Sequence, residues 1–246
     1  MISLKNKCIF VRCQLTDVTL NQINNSALIP DTDHIPYARL YQIDENILET
    51  KYAVMEHFYT VQGEGVHTGN AAYFIRLAGC DVGCSWCDVK ESWDAEQHPM
   101  VTVREMLENL LETPVSIVVI TGGEPLLQNL EPLCNALHAL DMKIHIETSG
   151  SSPLSGALDW VTLSPKRFKP PLEEIYPYVD ELKIVVLRKK DLSWAEEHAA
   201  KCPGKARLLL QPEWDTPESI PLIVEYVKEN PEWGISLQTH KFLGVP

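Results

Sequence analysis

The sequence predicts an α/β protein built on a parallel sheet, open or rolled into a barrel, and three observations carry that expectation. From Ala53 onward, short apolar runs alternate with stretches of helical periodicity, the order that parallel strands and crossover helices produce. Several runs are nearly continuous in β-branched or aliphatic residues, as strands buried on both faces are. Polar clusters follow four of the runs directly, at the strand ends where such folds bind ligands.

Taken in order, residues 1–50 are polar, rich in Asn and Asp, and lack a sustained period, so they read as a poorly ordered N-terminal extension; residues 51–246 read as the core domain. The expected strands are Ala72–Leu77, Ser116–Ile120, Lys143–Ile146, Trp160–Leu163, Glu181–Leu187, Arg207–Leu210 and Gly234–Leu237. Helices are expected over Thr102–Leu111, where Thr102 and Glu105 form a capping box, and over Leu126–Leu140 and Pro217–Lys228, which repeat apolar residues every three to four positions. The polar clusters are Thr121–Glu124, Glu147–Gly150, Ser164–Lys166 and Gln211–Pro212. Four strands delivering polar residues to one rim point to a single active site there.

Composition narrows the function classes. The chain has 246 residues, 45% of them apolar, which suffices for one sizeable core, and a formal net charge of −13. That acidity argues against nucleic acid as a partner, because phosphate binding rests on Lys and Arg. No apolar run approaches the ~20 residues of a membrane helix, and Met1–Gln14 lacks the long apolar region of a signal peptide. Seven cysteines, three of them within eight residues, fit metal chemistry in a reducing compartment, the cytoplasm, better than a disulfide framework.

The segment Gly79–Asp88 is the most informative. Cys80, Cys84 and Cys87 can each ligate one iron of a 4Fe–4S cubane, with Gly79 and Gly83 supplying the backbone freedom to curl the loop. No fourth cysteine is near; an iron without a protein ligand can take a substrate or cofactor. Two other readings of the same residues stand beside this one. Zinc could be held by the three cysteines with His67 or His98, although structural zinc sites usually come as two separated ligand pairs. The spacing of four and three also matches one face of a helix, against which the two glycines and Asp81 argue.

Cys80-x-x-x-Cys84-x-x-Cys87 after one strand, with Gly122-Gly123-Glu124-Pro125 after the next, resembles the radical S-adenosylmethionine (SAM) enzymes. A narrower likeness spans about residues 54–246: Phe58–Gly65, then Phe74-Ile75-Arg76 four residues before Cys80, then Gln238–Lys241 and Gly244-Val245-Pro246 resemble the 7-carboxy-7-deazaguanine synthases. The resemblance implies a partial, flattened TIM-like (β6/α3) barrel with the cluster loop after the first barrel strand, and a homodimer. It implies a lyase that converts 6-carboxy-5,6,7,8-tetrahydropterin to 7-carboxy-7-deazaguanine with loss of ammonia, on the route to queuosine. The chemistry implied is one-electron cleavage of SAM to a 5′-deoxyadenosyl radical, which takes a hydrogen from C6 of the pterin. SAM would be regenerated, and an electron donor such as flavodoxin or ferredoxin would reduce the cluster.

Carried over residue by residue, the resemblance places Val61, Gln62, Gly63 and Glu64 along the pterin's polar edge. Arg76 would pair with the substrate carboxylate through its planar fork, Thr121 would add a hydrogen bond, and His240 and Pro246 would close over the pterin. Trp86, Gly122, Gly123, Glu124, Ser164, Lys166 and Gln211 would hold SAM. One position departs from the pattern: the family usually has Thr or Ser as a Mg2+ ligand two residues after the third cysteine. Here Val89 stands there and offers no oxygen to a hard cation, which leaves magnesium in doubt. Two competing functions remain, an activase of the same superfamily that modifies a partner protein and a non-catalytic zinc-binding module.

Overall fold

The computed structural model describes residues 36–246. The expected extension falls outside the described residues up to position 35. Its last part differs from expectation: α1 (Pro36–Leu40) and α2 (Glu45–Leu48) precede the first strand, and Leu40 and Leu48 are fully buried in the core. The polar residues between them hid this packing, because Leu40, Ile43, Ile47 and Leu48 are too few to mark a period across so short a stretch.

Among the described residues, nine strands form one sheet in the order β3-β1-β2-β4-β5-β6-β7-β8-β9. These are β1 (Lys51–Val61), β2 (Ala71–Leu77), β3 (Met100–Thr102), β4 (Ile117–Gly122), β5 (Lys143–Thr148), β6 (Trp160–Leu163), β7 (Glu181–Val186), β8 (Arg207–Pro212) and β9 (Trp233–Ile235). From β2 to β9 every neighbour pair is parallel, whereas β1 pairs antiparallel with both β2 and β3. The parallel run is the partial TIM-like barrel sheet expected from the alternating pattern. β1 and β3 were not foreseen: β1 mixes apolar residues with Glu56, His57 and Thr60 and is only partly buried over its second half, and β3 has three residues.

The crossovers are α3 (Val103–Leu111), α4 (Glu131–Ala139), α5 (Lys190–Ala199) and α6 (Ser219–Glu229), with α7 (Thr239–Leu243) last. Thr102 caps α3, its hydroxyl accepting the Glu105 N–H at 3.1 Å. The expected helix over 126–140 divides into a 3-10 turn at Pro125–Leu127 and α4, which has Pro132 in its first turn, where a missing N–H costs nothing. α5 escaped the sequence pattern because its buried side, Asp191, Leu192, Ala195 and His198, is half polar or small.

Alternation along the strands sorts the residues into two layers. Tyr73, Ile75 and Leu77 of β2, Val118 and Ile120 of β4, Ile144 and Ile146 of β5, and Leu182, Ile184 and Val186 of β7 join the core with Met106, Leu107 and Leu110 of α3 and Leu133 and Leu137 of α4. Fully burying each such side chain contributes about 1.5–3 kcal/mol. The intervening residues, Phe74, Arg76, Thr121, Glu147, Lys183, Val185 and Gln211, instead line a cavity of about 440 Å³.

Candidate active site

The cysteine loop enters this cavity directly from β2. Its backbone is pinned on both sides: Gly79 N–H donates to the Ser92 carbonyl (2.7 Å), Cys80 N–H to Trp93 (3.0 Å), and the Gln128 side chain donates to the Ala78 carbonyl (3.0 Å). Gly79 and Gly83 hold φ of 102° and 72°, the left-handed region in which a side chain is strained. Cys80, Cys84 and Cys87 all line the cavity as free thiols. Burial pushes the Cys80 thiol up and that of Cys84 to about 11, with Lys166 opposing the latter. Apolar surroundings that disfavour thiolates until a cation neutralises them, together with soft donors on one wall, fit an iron–sulfur cluster.

The zinc reading loses its fourth ligand. His67 packs tilted against His145 and edge-on against Trp160 at centroid distances of 4.5 and 4.6 Å, and His98 Nε2 meets the Glu91 carbonyl at 2.7 Å; neither lines the cavity. Among the described residues, no three His, Cys, Asp or Glu side chains gather closely enough to hold a single ion. The helical-stripe reading fails too, since none of the three cysteines lies in a helix.

Gly122 and Gly123 allow β4 to touch the cysteine loop. A Cβ on Gly122 would strike the Leu77 carbonyl, and one on Gly123 would strike the Gly79 carbonyl. In their place, Gly123 N–H donates to Leu77 (3.0 Å) and Glu124 N–H to Gly79 (2.9 Å). Glu124 itself does not line the cavity as expected. Its buried carboxylate accepts from the Thr148 hydroxyl (2.5 Å), the Ser149 N–H (2.9 Å) and hydroxyl (2.5 Å), and the Leu126 N–H (3.2 Å). It braces the end of β4 against the end of β5, so its side chain has no capacity left for a ligand.

Trp86, Ser164, Lys166 and Gln211 reach the same cavity. Lys166 Nζ donates to the Ser164 carbonyl (2.8 Å) and hydroxyl (2.5 Å) and lies 5.4 Å from the Trp86 ring centroid. Gln211 accepts from the Ser236 hydroxyl (2.8 Å).

On the opposite side the walls are charged. Lys183 donates to Glu64 (2.5 Å) and Glu147 (2.7 Å), and Gln238 donates to Glu64 (2.9 Å). Burial favours the neutral form of Glu64, but the Lys183 charge and hydrogen bonds from Lys183 and Gln238 override it and hold the carboxyl down to about 2. Burial likewise opposes the charge on Lys183, yet Glu147 and Glu64 raise its pKa. Gln62 caps the group, accepting the Glu64 N–H at 3.1 Å. Arg76 lines the cavity with its Nε on Glu56 at 2.8 Å. Glu181, behind the 62–66 loop, accepts the Val66 N–H (3.0 Å) while its other oxygen is buried without a partner, and burial together with Glu147 lifts its pKa to about 7.

The C-terminal segment closes this side. Thr239 donates its N–H (2.8 Å) and hydroxyl (3.0 Å) to the Gly63 carbonyl, and the His240 ring packs where a Gly63 Cβ would be. Val61, Gly63, Thr121, His240 and Pro246 all line the cavity. The sequence placed Glu147 on the active-site rim without a role, and gave no site role to Lys183, Gln238 or Lys241, which all line the cavity. Lys183 carried a usable signal, a lysine in an otherwise apolar strand, which must be paired if buried.

Comparison with known proteins places this arrangement. Residues 74–202 match the Radical SAM superfamily. The chain is 53% identical over 194 residues to the 7-carboxy-7-deazaguanine synthase of Flavobacterium psychrophilum, covering 78% of this chain and 92% of that one. It is 46% identical over 199 residues to that of Synechocystis sp., covering 81% and 96%. The crystal structure of QueE from Escherichia coli aligns with a TM-score of 0.71 at 30% identity, over 79% of this chain and 98% of that chain.

Proposed function

This chain belongs to the 7-carboxy-7-deazaguanine synthase family of the radical SAM superfamily, and from that premise we propose that it converts 6-carboxy-5,6,7,8-tetrahydropterin to 7-carboxy-7-deazaguanine with loss of ammonia. The observation that carries the proposal is that Gln62, Glu64, Arg76 and His240 share one cavity with Cys80, Cys84 and Cys87. An activase of the same superfamily would have no use for those four residues; this also speaks against it.

Family membership implies a 4Fe–4S cluster and SAM, and the residues present fit both. When bound, they supply the one-electron chemistry that activates a carbon–hydrogen bond of the substrate. Cys80, Cys84 and Cys87 hold the cluster; Trp86, Gly122, Gly123, Ser164, Lys166 and Gln211 form the SAM wall, with Glu124 positioning the two glycines. Gln62, Glu64, Thr121 and the Lys183–Glu147 pair present donors and acceptors to the pterin ring, and Arg76 draws its carboxylate to the β2 side. Holding the pterin in one orientation selects one hydrogen among several. His240 and Pro246 cover the ring and exclude water.

A one-electron donor such as flavodoxin or ferredoxin supplies the reducing equivalent in this reading. Exposed Ile235, Leu237, Phe242 and Leu243 support a homodimer by giving a second copy an apolar face. The free thiols described here support a cytoplasmic location; no helix among the described residues is long and apolar enough to cross a membrane.

The test is anaerobic purification, iron analysis, then incubation with dithionite, SAM and the pterin. About four irons per chain and formation of 7-carboxy-7-deazaguanine without net loss of SAM are expected. SAM cleavage with the pterin untouched would retain the superfamily chemistry and refute the substrate.

A further inference from the structure

Beside Cys87 the cavity wall carries a charge pair to which the reaction as described assigns no task. Asp88 accepts from Lys241 Nζ at 2.9 Å and from Gln238 Nε2 at 3.2 Å. Lys241 also donates to Gln238 Oε1 at 2.9 Å and lies 4.7 Å from the Trp214 ring centroid. Its side chain is 21% exposed, and α7 is fastened to Gly63 through Thr239, so the ammonium is fixed in the wall rather than free in solvent.

These residues do not fit a magnesium ion. Mg2+ requires near-octahedral oxygen ligation at about 2.0–2.1 Å. Val89 supplies no oxygen, one Asp88 oxygen already faces an ammonium, and Glu64 is already neutralised by Lys183, with Gln238 donating to its other oxygen. The charge that a dication would bring is instead provided by a side chain. An ammonium has three N–H donors; Asp88 and Gln238 engage two, which leaves one donor on a side chain that lines the cavity. Arg76 lines the same cavity as Asp88, His240 and Lys241, so two cations face an anion bound there.

We propose that Lys241, held by Asp88 and Gln238, takes the place of a divalent cation in positioning the substrate carboxylate, so that this chain binds its substrate without magnesium. The proposal rests on the pterin carboxylate being the anion bound at this end. Lys241 is a positioning and binding residue here, not one that transfers a proton.

The experiment uses the cluster-loaded protein in metal-free buffer, with pterin affinity measured by calorimetry and product formation followed in parallel. Millimolar Mg2+ should change affinity and rate by less than about twofold. Mn2+, offered as a paramagnetic probe of the pterin complex, should remain free. Lys241→Met should weaken pterin binding roughly tenfold to hundredfold at unchanged iron content, and Lys241→Arg should recover most of it. Wild-type binding that collapses in metal-free buffer and returns with Mg2+, or Mn2+ held stoichiometrically by the complex, would overturn the proposal without any variant having to fold. Metal-independent pterin binding with no product under either condition would leave it standing and refute the reaction instead.

Discussion

The two sides of the cavity are built by opposite means. The side that receives the cluster is made of backbone: two left-handed glycines, two more that admit a strand end, and carbonyl-to-amide bonds that pin Gly79 and Cys80. Its three thiols fall within eight residues. The side that receives the organic substrate is made of charged side chains gathered from the loop after β1, β5, β7 and the C-terminal segment, with Lys183 reaching Glu64 across 119 positions of sequence. A cluster brings its own charge and geometry and needs only a shaped, dry seat. A polar heterocycle brings many donors and acceptors and needs a preorganised set to meet them, which explains why buried charge is concentrated there.

Removing a thiol should separate the two sides most sharply. Cys84→Ala should abolish iron retention and all turnover, while calorimetry still detects pterin binding; loss of both together would mean that the sides are not independent. Next in size, Lys183→Met leaves Glu64 and Glu147 buried without their cation and should cost about 3–5 kcal/mol. A large fall in Tm and loss of pterin affinity are expected, with iron content preserved at low temperature. Arg76→Ala should be milder, raising KM for the pterin roughly tenfold or more with cluster content unchanged; equal damage to both would remove its assigned role.

The smallest effect concerns Glu181. Its carboxyl is raised from 4.5 to about 7 by burial and by Glu147, so the folded state favours the protonated form. Wild-type stability is therefore lost at this site as pH rises from about 4.5 to 7. Glu181→Gln does not titrate and should gain a few degrees of Tm relative to wild type above pH 7, the difference vanishing below pH 4.5. A difference independent of pH would show that the 62–66 loop rests on something other than that carboxyl.

What the sequence disclosed follows the same division. The cysteine loop and Gly122-Gly123 were legible because their ligands and the close backbone approach depend on short spacings, and Trp160–Leu163 was bounded correctly because it is apolar between turns. Glu124 turns away from the cavity, which spacing does not reveal; Thr148 and Ser149, 24 and 25 residues on, engage its carboxylate together with the Leu126 N–H. The Lys183 network, β1 and α5 were hidden for a related reason. Their burial is decided by partners distant in sequence, and in β1 by the stretch beyond Ala53, which β3 does not pair and where polar residues are tolerable.

One strand joins the two sides. Arg76 ends the substrate-facing row of β2, and Cys80 follows four residues later through backbone bonds at Ala78, Gly79 and Cys80. At about 3.3 Å per residue, the span between substrate carboxylate and cluster is thus written in chain length. An added or deleted residue anywhere from 76 to 80 would turn one partner to the wrong face while its neighbours stayed pinned. Such length changes are closed to this stretch, whereas the exposed Glu96, Gln97 and Pro99 beyond the loop can absorb them. Divergence in this lineage is therefore free to remodel the rim of the cavity but not the distance across it.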